Sequence, residues 1–175
     1  MNKFFTFLLL IILSFFFIIG KTFSDENKIK IGILVPLTGD NAELGKQIVK
    51  ATRLALKDIN SDKIEIYPKD TQSDPNKTLS SAIELSNMNI NLVIGPVFYD
   101  NLTFLNEVQN IIFLSLTNKT LDLPKNVIST GINSTSQLNA IKKFLESNEI
   151  NKTITLIPNL NYDLEVKQGI KKSKI

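Results

Sequence analysis

Apolar runs alternate with amphipathic stretches along the chain after residue 25. The run KIKIGILVP at 28–36 is almost continuously apolar and ends at a proline, as expected for a strand buried on both faces of a parallel sheet. The run KIEIYPK at 63–69 alternates between apolar and polar residues, which favours a strand at the sheet edge. Four further strands are predicted at 91–95, 111–116, 126–131 and 153–157.

Between these runs, apolar residues recur at the three- and four-residue spacing of helices. One helix is expected to begin at Asp40, with Glu43 completing a capping box, and another at Asp74, with Pro75 in its first turn. Further helices are predicted over 100–109, from Ser134 and from Leu164. The positions expected to face the core are Leu44, Ile48, Ala51, Ala55, Ile59, Leu79, Ala82, Ile83, Ser86, Leu102, Leu105, Val108, Leu138, Ile141 and Leu145. The alternation of strands and helices predicts an α/β fold, a parallel sheet with helices on both faces.

The amino terminus has the pattern of an export signal. Lys3 precedes an apolar run at 4–19, which is shorter than the roughly 20 residues that a membrane-spanning helix needs. The small residues Thr22 and Ser24 then suit a cleavage site. We therefore predict that residues 1–24 are a signal peptide cleaved after Ser24. Lys21 is unfavourable in a cleavage region, so an uncleaved amino-terminal anchor is the alternative.

The composition excludes several classes of catalytic and metal-binding site. The 175 residues include no Cys and no His, which excludes thiol nucleophiles, Ser-His-Asp triads and Cys/His zinc sites. The seven glycines form no phosphate-binding motif. Removal of Lys3 and Lys21 with the leader leaves 18 basic and 17 acidic residues, a balance that does not indicate nucleic-acid binding. We expect neither enzymatic activity nor a cofactor, and Asp70 with Asp74 is too sparse an oxygen set for a metal loop.

Four stretches, read together, carry a family resemblance. They are IGILVPLTG at 31–39, PKDTQ at 68–72, LVIGP at 92–96, and IFLSLT at 112–117 followed by LPKNV at 123–127. In this order and spacing they resemble the type I periplasmic binding proteins, the leucine-binding-protein-like family. The PKDT and SLTN segments are similar to its branch of penicillin-binding-protein activators.

The resemblance implies two α/β lobes that enclose a ligand between them. Residues 25–132 would form the first lobe, and residues 133–175 the start of an incomplete second lobe, loosely attached. The implied function is non-enzymatic capture of a small polar ligand such as an amino acid, in the periplasm, for the permease of an ABC transporter. The alternative is a regulator that contacts a cell-wall synthase. Phe98 favours it, because amino-acid binders of the family commonly carry a small hydrogen-bonding residue there.

Candidate ligand-binding residues follow from the strand ends, since open α/β sheets bind ligands beyond the carboxyl ends of their strands. Asp70 has a second interpretation as a turn-forming residue, and Phe98 and Tyr99 as packing residues. The resemblance adds Tyr162, where the family places an aromatic residue of the second lobe, although Tyr162 also suits an ordinary turn. The complete predicted set is Thr38, Asp70, Phe98, Tyr99, Ser115, Thr117, Asn118 and Tyr162.

Overall fold

Five parallel strands form a sheet in the computed structural model, which describes residues 28–157 and 162–174. The strands are β1 (Ile29–Val35), β2 (Ile64–Asp70), β3 (Leu92–Ile94), β4 (Ile112–Ser115) and β5 (Val127–Ser129). Their order is β2-β1-β3-β4-β5, and every neighbouring pair is parallel. The predicted α/β fold is confirmed, and β2 lies at an edge as expected. The predicted signal peptide, residues 1–24, lies outside the described residues.

Four α-helices accompany the sheet in the described residues: α1 (Ala42–Ile59), α2 (Pro75–Asn87), α3 (Ser134–Ser147) and α4 (Asp163–Ser173). None of them is both long enough and apolar enough to cross a bilayer.

The helix predicted over 100–109 is wrong. Two short 3-10 turns, Tyr99–Leu102 and Leu105–Glu107, take its place. The segment has several Asn and Thr residues, which are poor helix formers, and Phe104 leaves helical geometry between the two turns. Leu102, Leu105 and Val108 are nevertheless buried, as expected.

Most of the core lies on one face of the sheet. Leu34, Val93, Phe113 and Val127 point to this face and pack with Leu85 of α2. On the opposite face, the buried cluster is limited to Ile33 and Val35 of β1 and Val49 of α1. Side chains alternate along strands, so Ile112 and Ile128 point to that opposite face, where they are about half exposed. In the described residues, α1 therefore covers the β1–β2 side of this face, where Ile66 of β2 also packs against it, and leaves the β4–β5 side open.

The start and the buried face of α1 differ from the prediction. Asn41, not Asp40, is the residue before the first helical turn, and its side chain makes no capping hydrogen bond. Gly45 and Val49 are buried, whereas Leu44 and Ile59 are exposed. A Cβ on Gly45 would lie 1.8 Å from the carbonyl oxygen of Pro36. Gly45, the one glycine of α1, thus lies directly against Pro36, the residue after β1. We infer that this close approach, and not the apolar stripe, determines which face of α1 is turned to the sheet. Ala51 and Ala55 of the stripe are exposed as well, whereas Ile48 packs against the buried cluster as predicted.

The other helices are predicted better. Asp74 caps α2 by accepting from the Lys77 amide at 2.7 Å, as expected, although Ile83 is 45% exposed and Leu85 is buried in its place. The cap of α3 is Asn133, not Ser134: its Oδ1 accepts from the Ser136 amide at 3.0 Å. Ser134 Oγ instead donates to the carbonyl of Glu165 in α4.

The strand predicted at 153–157 is absent from the described structure. Its residues have no regular backbone pairing, and Ile154 and Leu156 are 90% and 89% exposed. An apolar β-branched run becomes a strand only where a neighbour supplies hydrogen bonds, and none of the five strands pairs with it. On α3, Leu138 is buried, but Ile141 is half exposed.

Candidate functional site

Because all five strands are parallel, their carboxyl ends meet at one edge of the sheet, as the sequence predicts. The first group of predicted residues lies at the ends of β1 and β2. Asp70 accepts hydrogen bonds from the Leu37 amide at 2.7 Å, the Thr38 amide at 3.3 Å and the Thr38 hydroxyl at 2.6 Å. Its fourth donor is the Gln72 amide at 3.0 Å.

These hydrogen bonds favour the ionised form of the Asp70 carboxylate. Burial opposes its ionisation, but the hydrogen bonds from Thr38, Leu37 and Gln72 outweigh burial and lower its pKa below the ordinary value of 3.8. The bond to Gln72, two residues on, is the turn geometry that its second interpretation requires. Asp70 therefore joins the two loops. Whether Thr38 or Asp70 also contacts a ligand stays a prediction.

The second group follows β4. Ser115 and Thr117 are buried, and Ser115 Oγ donates to the Pro96 carbonyl at 2.9 Å and accepts from the Thr117 amide at 3.3 Å. The carbonyl of Thr117 accepts from Ser129 Oγ at 2.7 Å and from the Gly131 amide at 3.2 Å. The turns after β3, β4 and β5 are thus hydrogen-bonded to one another, which gives this part of the edge a fixed shape. Asn118 is exposed beside it.

Aromatic side chains flank this group. Phe98 and Tyr99 are half-buried, and Tyr99 packs against the main core, as one of its interpretations requires. The Tyr99 hydroxyl donates to the Leu121 carbonyl at 3.4 Å, and Lys119 Nζ lies 4.2 Å from the centre of the Tyr99 ring. Burial raises the pKa of Tyr99, and the negative charges of Asp122, Glu165 and Asp100 raise it further. Tyr99 is therefore neutral at physiological pH.

Tyr162 is the residue immediately before α4. Its side chain is half-buried, and its hydroxyl is buried with no hydrogen-bond partner among the described residues. A buried hydroxyl without a partner is energetically costly, which marks Tyr162 as a place where a further polar group would be stabilising.

Glu165, three residues after Tyr162, has a role that the sequence patterns do not predict. Its carboxylate accepts from the Thr120 and Leu121 amides at 2.7 and 2.9 Å and from the Thr120 hydroxyl at 2.9 Å. Through it, α4 is attached to the loop that follows Thr117 and Asn118. An acidic residue in the first turn of a helix is a readable signal, but it identifies a favourable helix terminus and not a partner 45 residues away.

The predicted residues therefore fall into two groups. Thr38 and Asp70 are bonded to each other across β1 and β2, and the remaining lobe residues line the ends of β3 and β4. Tyr162 immediately precedes α4, whose Glu165 is bonded to Thr120 and Leu121 in the loop that follows the second group. A separate cavity of about 620 Å³ is lined by Asn106, Gln109, Leu123, Pro124, Lys125 and Asn126, and no predicted site residue belongs to it. In the described parts of the chain, no three carboxylates converge to hold a metal.

Comparisons with known proteins relate this architecture to characterised families. The family described as periplasmic binding protein matches residues 28–173. The Leu/Ile/Val-binding protein homolog 1 of Brucella abortus (strain 2308) is 37% identical over 82 residues, which cover 43% of this chain and 21% of that protein.

Two solved structures share the fold. The carboxyl-terminal domain of LpoA from Haemophilus influenzae, a regulator of PBP1A, superposes with a TM-score of 0.67 at 18% identity over 82% of this chain and 45% of that one. The leucine-binding protein LivK from Thermotoga maritima gives a TM-score of 0.56 at 15% identity over 83% and 45% of the two chains.

The chain spans about a fifth of the Brucella relative's length and less than half of each of these two structures. Proteins of the matched family are typically exported to the periplasm and are generally not enzymes. Because the family match extends over most of the chain, including the whole sheet and both later helices, this protein belongs to the periplasmic binding protein family.

Proposed function

We propose that this chain captures a small polar solute in the periplasm, as the first part of a two-lobed binding protein. The observation that carries the proposal is the group of hydroxyl, amide and aromatic side chains at the ends of β3 and β4, to which Glu165 attaches the helix that follows Tyr162. Small-molecule sites combine apolar walls with a few fixed polar groups, and this edge offers both.

An amino acid or a compound of similar size suits the available groups. Thr117 and Asn118 supply a hydroxyl and an amide, and Tyr99 and Phe98 supply apolar walls. Since hydrogen bonds hold Ser115 and the turns after β3, β4 and β5 in place, little of the binding free energy would be spent on ordering them. Asp70 already accepts four hydrogen bonds, so the proposal assigns it a supporting position beside the ligand.

The proposal includes export and a partner. Residues 1–24 would direct the chain across the inner membrane and be removed, or would remain as an anchor. The ligand-bound form would then deliver its solute to a transporter permease.

A thermal-shift panel of amino acids, short peptides and peptidoglycan fragments tests the proposal. A ligand at 100 times its dissociation constant is expected to add about 2.7 kcal/mol to the free energy of unfolding. Thr117→Val, which removes one hydroxyl, should weaken that response. Thr52→Val is the matched control, because in the described part of the chain the Thr52 hydroxyl bonds within α1, to the Ile48 carbonyl. Absence of stabilisation by every compound would contradict solute capture.

A second candidate is regulation of a cell-wall synthase. It is supported by the bulk of Phe98 and by the likeness to LpoA, whose carboxyl-terminal domain superposes with the higher of the two TM-scores, 0.67 against 0.56. An affinity pull-down separates the candidates, since recovery of a permease without a synthase would contradict regulation, and the reverse would contradict transport.

A further inference from the structure

The Thr120–Leu121 segment binds the Glu165 carboxylate through three hydrogen bonds. The Glu165 side chain comes from α4, while the segment belongs to the connection between β4 and β5. Glu165 is only 4% exposed. Its Oε1 accepts from the Thr120 and Leu121 amides at 2.7 and 2.9 Å, and its Oε2 accepts from Thr120 Oγ1 at 2.9 Å.

Three convergent donors suit a carboxylate. Both oxygens are engaged, so the group is held in one orientation. Hydrogen bonds to an ionised acceptor are roughly twice as strong as those between neutral groups. Among the described residues, Glu165 forms no ion pair, so neutral backbone and hydroxyl donors alone compensate its charge.

Neighbouring hydrogen bonds position the Thr120 and Leu121 donors, here called the cradle, independently of Glu165. The Leu121 carbonyl accepts from the Tyr99 hydroxyl at 3.4 Å, and the Lys119 amide donates to Thr117 Oγ1 at 3.3 Å. On the other side, Ser134 Oγ donates to the Glu165 carbonyl at 2.7 Å, which fixes the start of α4 against α3. The donors and the carboxylate are thus positioned by separate parts of the chain.

We propose that Thr120 and Leu121 form a carboxylate-binding site and that Glu165 is its tethered occupant. A free carboxylate compound binds there only when Glu165 withdraws, and the occupancy of the site by Glu165 determines how firmly α4 is held to the β4–β5 connection. This inference rests on the geometry of the cradle and not on the identity of the captured solute.

Glu165→Ala in the full chain, with acetate as the probe, tests the proposal. Amide hydrogen exchange at Thr120 and Leu121 should become about tenfold faster, which corresponds to about 1.4 kcal/mol. Acetate should slow it again, whereas chloride at equal ionic strength should not. The original protein should not respond to acetate, because its site is filled. Equal effects of acetate and chloride on the variant would overturn the proposal.

Two further variants keep the test decisive. Glu165→Gln preserves the size of the occupant with one acceptor oxygen, so exchange should rise without any response to acetate, even if the Ala variant does not fold. Glu146→Ala is the matched control, since Glu146 is an exposed acidic residue of α3 whose carboxylate lies 3.9 Å from Lys142 of the same helix. The tethered-ligand role would be contradicted if amide exchange at Thr120 and Leu121 were unchanged in Glu165→Gln. It would also be contradicted if Glu146→Ala raised this exchange as much as Glu165→Gln does. The effect of acetate on amide exchange does not depend on whether any compound of the thermal-shift panel binds, so the two proposals can fail separately.

Discussion

At the scale of single residues, the sequence identifies polar side chains at strand ends but not their partners. The sequence indicates Asp70 and Thr38 as separate candidates, whereas in the structure the Thr38 hydroxyl donates to the Asp70 carboxylate at 2.6 Å. No sequence pattern indicates Glu165, although Glu165 is more deeply buried than Asp70. Partners 32 and 45 residues apart in sequence depend on the assembled sheet, so no local pattern contains them.

Asp70→Asn should destabilise the protein by about 1–3 kcal/mol at neutral pH, because an amide group would face backbone donors in place of a carboxylate oxygen. The pKa of Asp70 is lower in the folded state, so the stabilisation is fully present above the ordinary value of 3.8 and is lost as pH falls through the lowered pKa. Urea unfolding of both proteins across this range should show their difference shrinking in acid. Asp40→Asn is the control, because Asp40 is exposed and lies in the loop after β1 to which Asp70 is bonded. A difference that does not depend on pH would contradict the assignment.

At the scale of elements, the strands of the sheet are predicted within about two residues, because buried β-branched runs bounded by Pro or Gly are a strong local signal. The buried face of a helix is predicted less well. The stripe through Leu44 and Ile59 is apolar, yet the close approach at Gly45 turns a different face of α1 to the sheet. The run at 153–157 had the composition of a strand without a neighbour to pair with.

Leu85→Ala should cost about 2–5 kcal/mol, since Leu85 is fully buried in the main core. Ile83→Ala, on the same helix, should cost well under half as much, because Ile83 is 45% exposed. Urea unfolding of both variants measures the contrast directly. Equal losses would mean that the face predicted from the sequence, with Ile83 inward, was right after all.

Gly45→Ala tests what orients α1. In an ordinary helix this substitution stabilises by roughly 0.5–1 kcal/mol. Here the new Cβ would lie 1.8 Å from the Pro36 carbonyl oxygen, so we expect the opposite sign, a loss of about 1–3 kcal/mol as the helix moves away. Lys50→Ala, at an exposed position of α1, should change stability by less than about 0.5 kcal/mol. A stabilising Gly45→Ala in thermal unfolding would contradict the close approach.

At the scale of the whole molecule, different interactions stabilise the sheet and the α3–α4 pair. The sheet has a continuous buried core, whereas α3 and α4 pack on each other around Gly169 and reach the sheet edge through Glu165. Between the two helices, residues 151–157 are irregular, and all but the last are exposed. Such a segment is the preferred substrate of a protease.

Limited trypsin digestion should therefore cut first at Lys152, within this exposed segment, and leave residues 28–131 intact. Mass spectrometry of the earliest fragments identifies the site. Lys152→Gln should delay the first cut, whereas Lys143→Gln should not, since Lys143 lies within helix α3. First cleavage inside the sheet would show that the first lobe is the less stable part.

The order of strands in the sheet, β2-β1-β3-β4-β5, has a consequence for the time course of synthesis. The first strand to emerge pairs with the second, the third adds to the free side of the first, and the fourth and fifth extend that side in turn. No strand has to wait for a later one to separate it from its neighbour. A chain produced from its amino terminus can assemble this sheet in order of appearance, before α3 and α4 have been made.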